Sequence, residues 1–93
     1  MTSPADVIAA AALAVDGVAG LHGGMFGEAA TYLPGREVTG VRITESGVDV
    51  HVIVSYGSSV HQVAEAVRRA VAPLVTGSVD VVIEDVMSTW SET

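Results

Sequence analysis

Residues 48–56 read Val-Asp-Val-His-Val-Ile-Val-Ser-Tyr, with valine at every second position as far as Val54. Successive side chains of a strand point to opposite faces of a sheet, so these valines share one face with Tyr56. The other face carries Asp49, His51, Ile53 and Ser55. This alternation predicts a strand with one buried and one solvated face, as is common in antiparallel sheets.

The segments on either side of this strand predict two further strands and a helix. Residues 37–43 are strand-like, and the connector 44–47 has hairpin length. Ser59 and Gln62 form a capping-box pattern that opens a helix. Its apolar stripe is Val60, Val63, Ala64, Val67, Val71 and Leu74. Residues 79–86 alternate again and predict the last strand.

A first helix is predicted from the N-terminal end of the chain. Ser3 is a suitable N-cap, Pro4 fits the first helical position, and Asp6 places an acid in the first turn. The helix should run to about residue 15 and end at Asp16-Gly17. It is apolar almost all round, so either it is buried on two sides or alanine fills its outer face. Residues 18–22 form a weak strand candidate.

The resulting element order is α-β-β-β-α-β, which predicts an α+β fold. We expect a two-layer sandwich in which a small mixed sheet of three to four strands carries two helices on one face. The 93 residues should form a single domain with a core over about 4–86 and a C-terminal tail over 87–93. The tail is polar except for Trp90.

Residues 23–35 are the least regular stretch, and we predict a mobile loop there. Loops of this length are uncommon and usually functional or mobile. Pro34-Gly35 suits the centre of a type II turn. The loop carries the apolar residues Met25, Phe26, Tyr32 and Leu33. They are predicted either to fold back on the core as a lid or to contact a partner, since methionine and aromatic residues are enriched at interfaces.

Charge and composition exclude several classes of function. Eleven acidic residues stand against four basic ones, all arginine, giving a net charge of -7. Nucleic acids and anionic membrane surfaces should therefore be repelled. The chain has no cysteine, so disulfides and thiolate chemistry are excluded. The apolar run 7–15 follows no basic residue and is too short to span a bilayer, so we expect no signal peptide, no direct membrane insertion and a cytoplasmic location.

No catalytic, cofactor-binding or metal-ligating set is predicted. No two of the histidines at 22, 51 and 61 are four residues apart on one helix. Asp49 and His51 share a strand face that we expect to be solvated, and two ligands do not make a zinc site. His61 and Glu65 are predicted to form a surface pair. Ser59 is better explained as a cap than as a nucleophile, so we expect no enzyme activity.

Four segments together resemble a known family. They are Val-Asp-Gly-Val-Ala-Gly-Leu (15–21), Val-Asp-Val-His-Val-Ile-Val-Ser-Tyr-Gly (48–57), Val-His-Gln-Val-Ala-Glu-Ala-Val-Arg-Arg-Ala-Val (60–71) and Val-Asp-Val-Val-Ile-Glu-Asp-Val (79–86). The succession resembles the alkaline shock protein family, which comprises small envelope stress response proteins of Gram-positive bacteria. Residues 20–35 are similar to the version found in actinobacteria.

The resemblance implies a non-enzymatic cytoplasmic protein that associates with itself. It also implies a link to cell-envelope stress and attachment at the inner membrane face through a membrane-anchored family member. Family members that form large assemblies are longer and carry charged tails, so we expect a dimer or small oligomer. The predicted interaction surface is Ile8, Met25, Phe26, Tyr32, Leu33 and Trp90. The alternative is a small-ligand binding or sensing domain with the glycine-rich loop 20–35 as its lid.

Overall fold

A computed structural model of the chain describes residues 3–87. The elements are α1 (Pro4–Leu13), β1 (Val18–Leu21), β2 (Ala30–Leu33), β3 (Arg36–Thr39), β4 (Val41–Thr44), β5 (Gly47–Ser55), α2 (Val60–Val71) and β6 (Ser78–Met87). A 3-10 turn, Ala72–Leu74, follows α2. The predicted α+β class is confirmed: two helices accompany a mixed sheet, and a small hairpin is added to it.

Strand β5 lies at the centre of the sheet and uses both of its edges. Along one edge it pairs in parallel with β6, from Gly47 to Ser55. Along the other it pairs antiparallel with β4 in its first half and with β1 in its second half. His51 lies where these two partners meet, because its N–H donates to the Gly40 carbonyl and its own carbonyl accepts from the His22 N–H, at 2.9 and 3.0 Å. Helix α2 thus connects two parallel neighbours.

The hydrophobic core is built on the valine face of β5. The side chains of Val48, Val50, Val52 and Val54 are buried against three residues of α1 and three of α2. These helix residues are Ala5, Ile8, Ala12, Val63, Val67 and Val71. Tyr56 does not join them, because β5 ends one residue earlier and its ring is exposed.

The two helices answer one open question, what covers the outer side of α1, and correct one prediction, the partner of Glu65 in α2. The outer side of α1 exposes Ala10, so alanine does fill part of that side, together with Val7 and Leu13. In α2 the predicted pairing of Glu65 with His61 is wrong, because Glu65 forms an ion pair with Arg68 one turn further on.

The predicted mobile loop over 23–35 is partly wrong, because residues 30–33 form a strand. This strand, β2, pairs with β3 through the two-residue turn Pro34-Gly35, in which Gly35 has the positive φ (79°) of a type II turn. The predicted strand 37–43 is accordingly split at Gly40, where φ is 90°. A Cβ there would lie 2.6 Å from the Cβ of Leu21. Within the predicted loop, residues 23–29 remain irregular, together with the turn at Pro34-Gly35.

An ion pair and a hydrogen bond hold the hairpin of β2 and β3 against the rest of the fold. The Arg36 guanidinium donates to both carboxylate oxygens of Asp6, at 2.9 and 2.7 Å. Asp6 is also the third residue of α1 and completes a capping box with Ser3. Arg36, and then the Ser3 N–H and hydroxyl, hold the pKa of Asp6 well below its usual range. The Thr31 hydroxyl donates to the Val41 carbonyl at 2.6 Å.

Gly47, the first residue of β5, lies so close to β6 that we predict a strong requirement for glycine at this position. A Cβ on Gly47 would overlap the backbone of Ser78, whereas a Cβ on Gly20 meets only the tip of Ile53, at 3.9 Å. We expect Gly47→Ala to lower the free energy of unfolding by about 1–3 kcal/mol, because the parallel strands must separate to accept it. Gly20→Ala should leave it unchanged or slightly higher. Urea unfolding of both variants tests this; equal stabilities would contradict it.

Candidate functional site

The loop 22–29 displays two large apolar side chains at the tip of a tight turn. The Gly27 N–H donates to the Gly24 carbonyl at 3.2 Å, which places Met25 and Phe26 at the two central positions of a β-turn. Their side chains are 80% and 87% exposed. We call Met25 and Phe26 the apolar tip.

Hydrogen bonds from inside the loop brace the apolar tip. The Glu28 carboxylate accepts from the Phe26 N–H at 3.0 Å. At the base of the turn the Gly24 N–H donates to Nδ1 of His22 at 2.9 Å, and the Ala29 N–H donates to the Gly23 carbonyl at 2.8 Å. Ala29 is fully buried. The exposed turn therefore rises from a fixed, buried base.

The charge of Glu28 belongs to this arrangement. Hydrogen bonds from its own N–H and from the Phe26 N–H lower the pKa of the carboxyl below its ordinary value, and the positive charge of Arg42 adds to the effect. The carboxylate is therefore ionised at neutral pH, and its hydrogen bond with the turn is charge-assisted. Beyond an acidic residue directly after Gly27, no local sequence pattern indicates this brace.

Tyr32 and Leu33 are neighbours in β2 but lie on opposite faces of the hairpin. Tyr32 stands opposite Glu37 and is 71% exposed. Leu33 is partly buried and packs against the hydrophobic core. Leu33 is therefore mainly a core contact, which corrects its place in the predicted interaction surface, whereas Tyr32 is available to a partner.

Two other members of the predicted interaction surface, Ile8 and Trp90, are not exposed residues of the described structure. Ile8 is wrong as a contact residue, because only 1% of it is exposed and it packs within the core, between α1 and the sheet. The prediction took the apolar circumference of α1 as surface, but that side of the helix is the one that faces the valines. Trp90 lies outside the described residues. Met25, Phe26 and Tyr32 are the predicted residues that the structure leaves open.

The lid alternative receives no support from the loop. A lid over the core would turn its apolar side chains inward, yet those of Met25 and Phe26 point to solvent. Of the apolar side chains at Met25, Phe26, Tyr32 and Leu33, Leu33 is the one that packs inward, and it does so as a member of the hairpin.

His51 corrects the prediction of a solvated sheet face. Its side chain is almost completely buried and its Nδ1 is hydrogen-bonded to the Glu84 carboxylate of β6. Glu84 lies where the β5–β6 register shifts, after Val52 and Ile83. This bulge admits the carboxylate beside the imidazole, so His51 links β6 to the junction of β1 and β4. The partner is 33 residues away in sequence, beyond the reach of any local pattern.

Other polar side chains of residues 3–87 lie outside the loop, and several of them line a groove at the start of α2. Among residues 3–87 there is no group of three or more histidine, aspartate or glutamate side chains that could hold a metal ion. An open groove of about 570 Å³ lies at the start of α2, lined in part by Asp16, Ser58, Ser59 and Gln62. The Ser59 hydroxyl there accepts the Gln62 N–H as the helix cap, as predicted.

Comparison with protein families gives a match over residues 5–89, almost the whole chain. The chain belongs to the alkaline shock protein 23 family. The family is described as having a cell envelope-related function. No curated protein and no solved structure matches the chain. In this family member, no helix within the described part of the chain is long and apolar enough to cross a membrane.

The brace on the apolar tip predicts how the loop of this family member responds to pH and mutation. We expect Glu28→Ala to speed hydrogen exchange at the Phe26 amide several-fold, because the N–H loses its acceptor. Since the pKa of Glu28 is lowered, wild-type protection should persist to a pH below the usual glutamate value of about 4.3. Glu45→Ala, in the exposed β4–β5 turn, is the control. Unchanged exchange in Glu28→Ala would show that the brace is absent in solution.

Proposed function

We propose that this chain is a non-enzymatic protein–protein interaction module in the cell-envelope stress response. It associates with itself as a dimer or small oligomer and docks on a membrane-anchored partner at the inner face of the cell membrane. Membership of a family with a cell envelope-related function supports the setting. The observation that carries the proposal is the apolar tip, in which Met25 and Phe26 are held almost fully exposed.

The geometry of the apolar tip suits association better than catalysis or ligand capture. Aromatic residues and methionine are enriched at interfaces, and few such side chains usually dominate the binding energy. The hydrogen bonds within the turn fix the backbone before any partner arrives, so binding orders little that is not already ordered. Tyr32, also exposed, offers a second aromatic side chain in β2, the strand that follows the loop.

The negative net charge of the chain favours the uncharged apolar tip as the surface through which two copies associate. A net charge of -7 makes two copies repel each other, and this repulsion is weaker at higher salt. The apolar tip itself is uncharged, and the adjacent Glu28 carboxylate is turned to the Phe26 N–H. Association through the tip should therefore strengthen as salt is added, because screening reduces the repulsion and leaves apolar contact.

The same charge favours a protein as the attachment point at the membrane. Direct adsorption to anionic lipid requires a cluster of basic residues, whereas this chain has four arginines and no lysine. Three of those arginines, Arg36, Arg42 and Arg68, are ion-paired within the fold. Attachment through a membrane-anchored family member avoids this electrostatic penalty.

Self-association can be tested by sedimentation velocity over a hundredfold range of protein concentration. We expect a concentration-dependent dimer or small oligomer, and Phe26→Ala should weaken it tenfold or more, since truncating a central aromatic costs about 2 kcal/mol. Tyr56→Ala is the matched control. Tyr56 is also an exposed aromatic residue (65%), but it does not belong to the loop 22–29 and follows the end of β5 that does not pair with β4. A strictly monomeric wild type, or equal weakening by both variants, would refute the role of the tip.

Docking at the membrane can be tested by pelleting with membrane vesicles that expose the inner face. We expect the protein to pellet with untreated vesicles, and to stay in solution with protease-treated vesicles or with protein-free liposomes of the same lipids. Binding to the liposomes would show that lipid, not a protein, is the attachment point. Failure to pellet with any preparation would remove the docking half of the proposal while leaving self-association intact.

A further inference from the structure

We infer that the free edge of β6 is a docking site for an extended, basic segment of another protein, which adds to the sheet as a further strand. The inference goes beyond the proposed function, because it concerns a different surface from the apolar tip and names the chemistry of its occupant. Addition of a peptide to an exposed sheet edge is a common recognition mode, in which backbone hydrogen bonds give affinity and alternate side chains give specificity.

The hydrogen bonds at the two ends of β6 show which of its backbone groups face away from β5. Successive residues of a strand direct their N–H and C=O alternately to the two sides. The Ser78 N–H donates to the Ser46 carbonyl and the Met87 carbonyl accepts from the Tyr56 N–H, so these residues face the β5 side. Counting from Ser78, and allowing for the bulge near Glu84, Val79, Val81, Ile83 and Val86 face the free edge.

Within residues 3–87, side chains of the protein satisfy the ends of this edge but not its middle. Arg68 of α2 reaches the Val79 carbonyl at 3.4 Å, and the Asp85 carboxylate accepts the Val86 N–H at 2.8 Å. Both contacts confirm that these groups point outward. Between them lie the N–H and C=O of Val81 and Ile83, and among the described residues β6 pairs with no strand other than β5. Such a row of open groups is a template for an added strand.

The side chains along the edge favour a basic occupant. Asp80, Glu84 and Asp85 all lie on β6. Glu84 is paired with His51, and Arg68 at the edge is already paired with Glu65. Asp80 is exposed and forms no ion pair within the described residues.

The charged residues of β4 and β5 beside Asp80 indicate where a basic residue of the occupant would lie. Asp49 of β5 stands beside Asp80 in the sheet, and Arg42 of β4 lies on the other side of Asp49, at 3.9 Å. The row therefore runs positive, negative, negative from β4 to β6. A lysine or arginine on an added strand, directly opposite Asp80, would complete it, and opposite charges in such cross-strand positions are stabilising.

A second copy of this chain is a poor occupant of the same edge. In an antiparallel pairing of two β6 strands centred on Val82, Asp80 of one copy stands opposite Glu84 of the other. Like charges in that position are destabilising, and acidic residues on an edge are a common defence against self-pairing. The β6 edge therefore disfavours pairing with the β6 edge of a second copy and favours a segment that alternates basic and apolar residues.

The probe for this site is a blocked peptide of alternating lysine and valine, with an alternating glutamate–valine peptide as its counterpart. Amide hydrogen exchange, followed residue by residue by NMR, should show Val81 and Ile83 unprotected in the free protein. The lysine peptide should slow exchange at these two amides tenfold or more, whereas the glutamate peptide should not. Protection at both amides before any peptide is added would overturn the inference, because the edge would already be occupied.

Matched charge variants separate strand addition from general attraction to an acidic protein. Asp80→Lys should weaken binding of the lysine peptide at least fivefold. Glu37→Lys makes the same charge change on exposed β3 of the separate hairpin and should weaken it much less. Equal weakening by both, or binding without protection of Val81 and Ile83, would overturn the inference. Phe26→Ala should bind the peptide normally, so failure here is distinct from failure of the apolar tip.

Discussion

The structure depends on one constraint, the burial of the four alternate valines of β5. Both helices cover this valine face, and β1, β4 and β6 all pair with β5. β6 occupies one edge along the full length of β5, so β1 and β4 must share the other edge end to end. No length of that edge remains for another strand. The hairpin of β2 and β3 is therefore separated from the sheet at Gly40 and packs beside α1 instead, where Arg36 meets Asp6.

Patterns that repeat within one segment predicted most of the fold. The period of two in β5 and β6, the helical stripe of α2 and the caps at Ser3 and Ser59 need only local sequence, and each corresponds to an element of the structure. The hairpin was missed because β2 and β3 have four residues each and lie among glycines and a proline. Their stability comes from contacts distant in sequence, such as Arg36 with Asp6 and Thr31 with Val41, which no local pattern contains.

The candidate site shows the same division between local and distant information. Composition identified Met25 and Phe26 as unusual residues for a loop but left their direction open. That direction is set by the turn from Gly24 to Gly27 and by the Glu28 carboxylate, whose role depends on geometry and not on residue type. Ile8 was misplaced for the opposite reason: a helix that is apolar all round does not reveal which side faces the core. His51 was misjudged because its partner Glu84 arrives through the parallel crossover.

The two open surfaces lie on different sides of the same central strand. The loop that carries the apolar tip follows β1, whereas β6 runs along the opposite edge of β5. His51 connects them, since its backbone joins the β1 and β4 side while its side chain is paired with Glu84 on β6. Contact between copies through the tip would leave the acidic edge free, and a strand added at that edge would leave the tip free. The proposed contact between copies and the proposed addition of a basic strand therefore use separate surfaces of the domain.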